Sequence, residues 1–230
     1  MITAVVKGIL DLLFPRCCPL CGCVLDDSQE ICPDCLAELP RTEQSSIQNN
    51  ITEDLFVGDE MFVRGGCFLF FDKDAPVQKL MHLLKYKDSP RLGYALAREA
   101  AFDFMNSDLF ENIDVIIPVP LHNRRLYERG YNQSEWIAKG LSEVINIPMD
   151  TTHLTRRHNN PKQALMRGNE REANVKDIFE VNHPEELYRK NILLVDDIIT
   201  TGSTIRSCME AMHAFRGAKI SVFALGKARK

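Results

Sequence analysis

Hydrophobic positions along this chain alternate between short continuous runs and stretches with helical spacing. Cys67 to Phe71, after Gly65-Gly66, is an apolar and aromatic run that predicts a strand, and Ala75 to Tyr86 then carries apolar residues at helical intervals. Beyond it the pattern predicts a strand over Ile113 to Pro118, a helix over Gln133 to Val144, a strand over Ile192 to Val195, a helix over Ser203 to Phe215, and a strand over Lys219 to Leu225. Buried strands alternating with helices specify an α/β fold with a parallel sheet. Such sheets bind ligands at the carboxyl ends of their strands, which directs attention to the residues after Ile117 and Val195.

The amino-terminal region follows a different pattern. Met1 to Phe14 is apolar, with Val6, Ile9, Leu10 and Leu13 at helical spacing, but Lys7 and Asp11 interrupt it and it is far shorter than a bilayer span. Pro15, Arg16 and cysteines follow it instead of a small-residue cleavage site. A short docked helix, no membrane insertion and a cytoplasmic location are the expectation. From Arg41 to about Glu60 the chain is polar, with Ser45, Ser46, Asn49 and Asn50 and no apolar period, which predicts a linker. The expected organisation is therefore a helix and cysteine module over 1–40, a linker over 41–60 and an α/β domain over 61–230.

The chain has eight cysteines, most of them in one short run, and no export signal is expected. That distribution favours metal binding in a reducing compartment over disulfides. Cys18-Pro19-Leu20-Cys21 and Cys32-Pro33-Asp34-Cys35 are two C-P-x-C knuckles separated by ten residues. Four soft thiolates at this spacing describe a closed tetrahedral site for structural Zn²⁺, with Cys17 and Cys23 as bystanders. A thioredoxin-like pair would need a single CxxC opening a helix after a strand. A deaminase is excluded by order, because His183-Pro184-Glu185 follows the cysteine pairs instead of preceding them. The formal net charge of -4 gives no overall field for nucleic acid, so any such contact requires a local basic patch.

The most informative segment is Ile192 to Thr204. Ile192-Leu193-Leu194-Val195 suits a strand buried on both faces, and it runs directly into Asp196-Asp197, two carboxylates that are costly there without a partner. Thr200-Thr201-Gly202-Ser203-Thr204 then opens a helix with small hydroxyl residues around a glycine, offering backbone N–H groups and a positive helix end to a phosphate. Acceptors for vicinal ribose hydroxyls beside donors for a phosphate match the two ends of a ribose 5-phosphate. A Walker B strand is the rival, but the chain has no G-x-x-x-x-G-K-[ST].

The run I-L-L-V-D-D-I-I-T-T-G-S-T resembles the motif with which type I phosphoribosyltransferases bind 5-phosphoribosyl-1-pyrophosphate (PRPP). Together with the C-P-x-C pairs, Leu84-Lys85-Tyr86, Arg129-Gly130-Tyr131-Asn132-Gln133 after Pro118 to His122, and Gln163 to Asn174, the likeness extends over nearly the whole chain and narrows to the ComF (ComFC/GntX) competence family. That resemblance implies a phosphoribosyltransferase-like domain behind a zinc ribbon and a role in DNA uptake or DNA utilisation. It implies that Asp196 and Asp197 contact ribose hydroxyls, that Thr200, Thr201, Gly202, Ser203 and Thr204 cradle the 5-phosphate, and that Mg²⁺ accompanies PRPP. Arg124, Arg125 and Arg129 occupy the position of the pyrophosphate-binding connection and serve either pyrophosphate or DNA. His158 to Glu172 is either a flap over the substrate or a surface loop. Thr200 stands where purine-using relatives carry an acidic base. Two functions remain open on these residues: phosphoribosyl transfer to an unknown acceptor, and a non-enzymatic sensor or adaptor whose ribbon meets single-stranded DNA or a DNA-uptake protein.

Overall fold

A computed structural model of the chain describes residues 14–72, 76–86, 89–156, 178–213 and 217–229. The predicted amino-terminal helix over its first thirteen residues, and the segment assigned to a flap, lie outside these. Six strands are described: β1 (Phe62–Phe71), β2 (Val115–Pro118), β3 (Leu154–Arg156), β4 (Phe179–Val181), β5 (Asn191–Ile199) and β6 (Lys219–Ala228). Four of them form one sheet in the order β1-β6-β5-β2, and every pair in it is parallel. β3 and β4 make a separate antiparallel ribbon, and a short helix, α1 (Pro33–Ala37), lies in the cysteine module.

The continuous apolar runs are explained by burial on both faces of the sheet. Leu193 and Val195 of β5 pack with Ile116, Phe68 and Phe223 in one core, whereas Ile192 and Leu194 pack with Ile117, Val222 and Ala224 in the other. The first core is covered by α2 (Pro76–Tyr86), α3 (Pro90–Phe104) and α5 (Gln133–Ile145), through Leu80, Leu84, Leu96 and Ile137. The second is covered by α6 (Ser203–Met212), through Ile205, Met209 and Met212. The hydrophobic pattern does not reveal α3, because much of its buried stripe is alanine: Ala97, Ala100 and Ala101 carry little apolar signal yet are fully enclosed. Their small size lets the helices meet closely, and a Cβ at Gly140 of α5 would lie 2.4 Å from the Tyr94 carbonyl of α3.

The polar segment expected as a linker lies against the free edge of β1. The Gln44 side-chain oxygen accepts from the Cys67 amide at 2.9 Å, Glu53 accepts from the Gly65 amide at 3.1 Å, and Asn50 donates to the Gly65 carbonyl at 2.8 Å. Phe70 and Thr42 complete the edge through backbone bonds Phe70 N to Pro40 O and Thr42 N to Phe68 O. An unpaired strand edge must be covered or satisfied, and here buried polar side chains do what a neighbouring strand would otherwise do. The same path carries the cysteine module onto the first core, where Leu25, Ile31 and Leu39 pack with Leu69 and Phe68.

Candidate functional site

The site is opened by a difference in strand length. β2 stops at Pro118, opposite Val195, and the last bond on that side runs from the Val119 amide to the Val195 carbonyl at 2.8 Å. β5 does not stop with it, as the apolar run suggested, but continues to Ile199 in register with β6, pairing Asp196 with Ala224 and Ile198 with Gly226. Asp196 and Asp197 therefore sit on a strand with one flank free, at the carboxyl end of the sheet.

The two carboxylates have unequal surroundings. Asp196 Oδ1 accepts from the Asp197 amide at 2.8 Å and from the Ser134 hydroxyl at 3.1 Å. Burial, and then repulsion from Asp197, push its pKa up to about 7, against the opposing pull of those two donors and of Lys85. Asp197 is paired through Oδ2 with Lys85 Nζ at 3.3 Å, their side chains being 14% and 25% exposed. The pair thus divides into a carboxyl that takes up a proton near neutrality and a carboxylate with its own cation.

Beyond Ile199 the chain turns through Gly202, whose φ of 77° places it in the left-handed region, into the first turn of α6. Asp196, Ile198, Thr200, Gly202, Ser203 and Thr204 surround a small recess. Thr200, Thr201, Ser203 and Thr204 are exposed, whereas Gly202 is buried against the Phe56 ring, which a Cβ would meet at 3.1 Å. Lys227 of β6, only 6% exposed, donates from Nζ to the Thr200 carbonyl at 3.1 Å and fixes the start of the loop from behind.

The connection after β2 leads through Val119 to His122 into α4 (Asn123–Arg129), where His122 Nδ1 accepts from the Arg124 amide at 3.2 Å. Arg124 is paired with Glu128 at 2.8 Å and points to solvent, and Arg129 donates to Gln133 at 2.8 Å. Gly130 ends α4, and Asn132 caps α5 while donating to the Val119 carbonyl at 3.1 Å. A cavity of ≈ 590 Å³ lies here, lined by Pro118, Leu121, Asn132, Glu135, Arg156 and Glu180 among others. Arg156 stacks over Phe179 at 5.3 Å, and burial followed by repulsion from Arg125 lowers its pKa. Arg156 thus lines the cavity, with the like charge of Arg125 on α4 near enough to repel it.

The structure brings Lys85, Ser134 and Lys227 to this centre, none of which the motifs singled out as site residues. Lys85 lies inside the quoted Leu84-Lys85-Tyr86 stretch, and Ser134 directly follows Arg129 to Gln133. Lys227 carries no local signal, since its role depends on the loop that folds over it.

In the cysteine module, the sulfurs of Cys18, Cys21, Cys23 and Cys32 lie within 4.8 Å of one another, and Cys21 Sγ is 3.6 Å from Cys32 Sγ. Cys35 adjoins Cys32, Cys21 and Cys18 but falls outside that close quartet, in which Cys23 stands beside three of the four expected ligands. Burial works against the Cys18 thiolate, yet backbone amides of Cys32, Cys21 and Leu20 outweigh it and bring its pKa to about 6. Contact with the Cys21 and Cys32 sulfurs pushes Cys23 up to about 12. Crowded thiols with amide donors aimed at them fit a divalent ion, which relieves their mutual repulsion.

Residues 83–229 match the family described as Phosphoribosyl transferase domain. The chain belongs to that family. Residues 9–46 match the Double zinc ribbon domain, so this phosphoribosyltransferase domain follows a ribbon suited to structural zinc, the arrangement of the ComF branch. Competence protein F of Haemophilus influenzae is 29% identical over 94% of this chain and 86% of its own length. The DNA utilization protein YhgH of Escherichia coli K12 is 27% identical over 67% of this chain and 68% of its own. Competence protein ComFC of Bacillus subtilis is 31% identical over 48% of this chain and 43% of its own. Among the described residues no helix is long and apolar enough to cross a membrane.

Proposed function

We propose that this phosphoribosyltransferase-domain protein binds PRPP, or a closely related ribose 5-phosphate ligand, at the carboxyl end of β5 and serves DNA uptake or DNA utilisation in the cytoplasm. The observation carrying the proposal is the juxtaposition of the Asp196–Asp197 pair with the Gly202 turn on one overhanging strand. Asp196 and Asp197 accept from the ribose 2- and 3-hydroxyls. The Thr200 to Thr204 loop donates backbone and hydroxyl hydrogens to the 5-phosphate, with the amino terminus of α6 behind it. The pyrophosphate lies toward the connection after β2, where Arg125 and Arg156 supply positive charge; Arg124 is exposed and paired with Glu128, and Arg129 is half-buried against Gln133. The donor set, two carboxylates facing ribose oxygens, suits Mg²⁺, which when bound neutralises pyrophosphate charge.

Transfer at this site breaks the bond from the anomeric carbon to pyrophosphate and forms one from that carbon to an acceptor, whose displaced proton leaves to solvent or a base. Asp196 and Asp197 hold the hydroxyls and stabilise the positive charge that develops on the ring. The cavity beside Asn132 and Glu135 is open to receive the acceptor.

Titration calorimetry of PRPP with Mg²⁺ into wild-type protein and the Asp196→Asn, Asp197→Asn double variant tests the reading. Binding by the wild type that the variant loses is expected; no binding by the wild type sinks it. A second reading, a DNA-handling adaptor, is favoured by α4, where Tyr127 is 93% exposed among Arg124, Arg125 and Arg129. Exposed aromatics among arginines suit stacking on single-stranded bases. Steeply salt-dependent binding of single-stranded DNA that falls in an Arg124→Ala, Arg125→Ala variant is the expected result for that reading.

A further inference from the structure

We infer that Lys85 is a ligand-exchange residue of the phosphoribosyl site: in the free protein it fills the cation position at Asp197, and on binding it passes from Asp197 to the anionic oxygens of the incoming ligand. The inference rests on the PRPP reading and adds to it a residue from α2, an element that lies before the sheet strands carrying the motif.

Four contacts converge on this role. Lys85 Nζ lies 3.3 Å from Asp197 Oδ2, with both side chains largely enclosed, so the pair is not a solvent-washed surface bridge. The helix end that carries it is tied down from the other side of the site, because the Tyr131 hydroxyl donates to the Leu84 carbonyl. Asn132 and Ser134, which follow Tyr131, donate respectively to the Val119 carbonyl and to Asp196 Oδ1. One turn, Tyr131 to Ser134, thereby sets Lys85, the connection after β2, and the ribose-facing aspartate relative to one another.

The consequence is electrostatic. Two adjacent carboxylates on an overhanging strand would form a ready divalent-cation site, and a lysine bonded to one of them opposes that cation. Removing one partner of an enclosed ion pair leaves the other charge uncompensated. A divalent ion arriving alone must compete with Lys85, whereas one arriving with PRPP brings phosphate oxygens that give the ammonium a new partner. Cation and PRPP therefore bind together in preference to the cation alone.

The test compares wild type, Lys85→Met and Lys85→Arg by titration with Mn²⁺ alone and, separately, with PRPP in the presence of Mg²⁺. The methionine variant is expected to bind Mn²⁺ alone about tenfold more tightly and PRPP about tenfold more weakly, and the arginine variant to recover most of the PRPP affinity. Opposite signs separate this role from a merely structural one, since a disturbed α2 lowers both affinities together. Equal changes, no change, or a change in only one titration overturns the inference. If wild type binds PRPP and Lys85→Met binds it equally well, only this inference fails. If wild type binds none, the PRPP reading has failed and the inference falls with it.

Discussion

Replacing Asp196 with asparagine isolates the cost of holding its charge in the folded protein. Asparagine keeps an oxygen that can accept from Ser134 and from the Asp197 amide, but it removes the ionisable group. Burial and the neighbouring Asp197 raise the carboxyl pKa from 3.8 to about 7. A carboxyl whose folded pKa lies above its unfolded value holds its proton more tightly when folded, so it favours folding below the unfolded pKa and loses that contribution as pH rises through the folded one. Each unit is worth about 1.4 kcal/mol, which sets a ceiling of about 4 kcal/mol, and structural relaxation with water entry reduces the expected effect to about 2 kcal/mol. Asp196→Asn is therefore expected to match wild type below pH 4 and to become more stable by about 2 kcal/mol at pH 8. Urea unfolding of zinc-loaded protein across this range measures the difference. A gap that is absent at pH 8, or that widens as pH falls, refutes the assignment of Asp196 as a destabilised acid.

Other expectations test separate parts of the structure. Gly202→Ala forces a side chain into a left-handed turn against Phe56, so it is expected to cost about 1–2 kcal/mol in thermal unfolding and to weaken PRPP binding further. Gly140→Ala meets the Tyr94 carbonyl and is expected to destabilise by about 2 kcal/mol without changing any ligand contact, separating helix packing from the site. Chelation of zinc, or Cys18→Ser, is expected to lower the melting temperature of the whole chain, because Leu25, Ile31 and Leu39 share a core with Phe68 and Leu69. An unchanged midpoint would show that the ribbon is energetically separate.

The sequence by itself determined the α/β alternation, the motif segment and the cysteine knuckles, because each is encoded locally: in a hydrophobic period, in the order acid-acid then hydroxyl-glycine-hydroxyl, and in C-P-x-C spacing. It could not supply α3, whose alanines bury well but signal weakly, nor the use of residues 42–53 as the edge of β1, since Gln44, Asn50 and Glu53 look like loop residues until their partners on β1 are beside them. Cys23 appeared a bystander for a similar reason, because knuckle spacing does not say which further sulfur the loop folds inward. Tertiary structure alone decided that β5 outruns β2 and so opens the site, that burial of Asp196 and the pairing of Asp197 with Lys85 divide two adjacent aspartates into unlike groups, and that Lys227 stands behind the Thr200 to Thr204 loop. These contacts join residues 27 to more than 100 positions apart, and sequence patterns read the neighbours along the chain, not the ones that folding brings together.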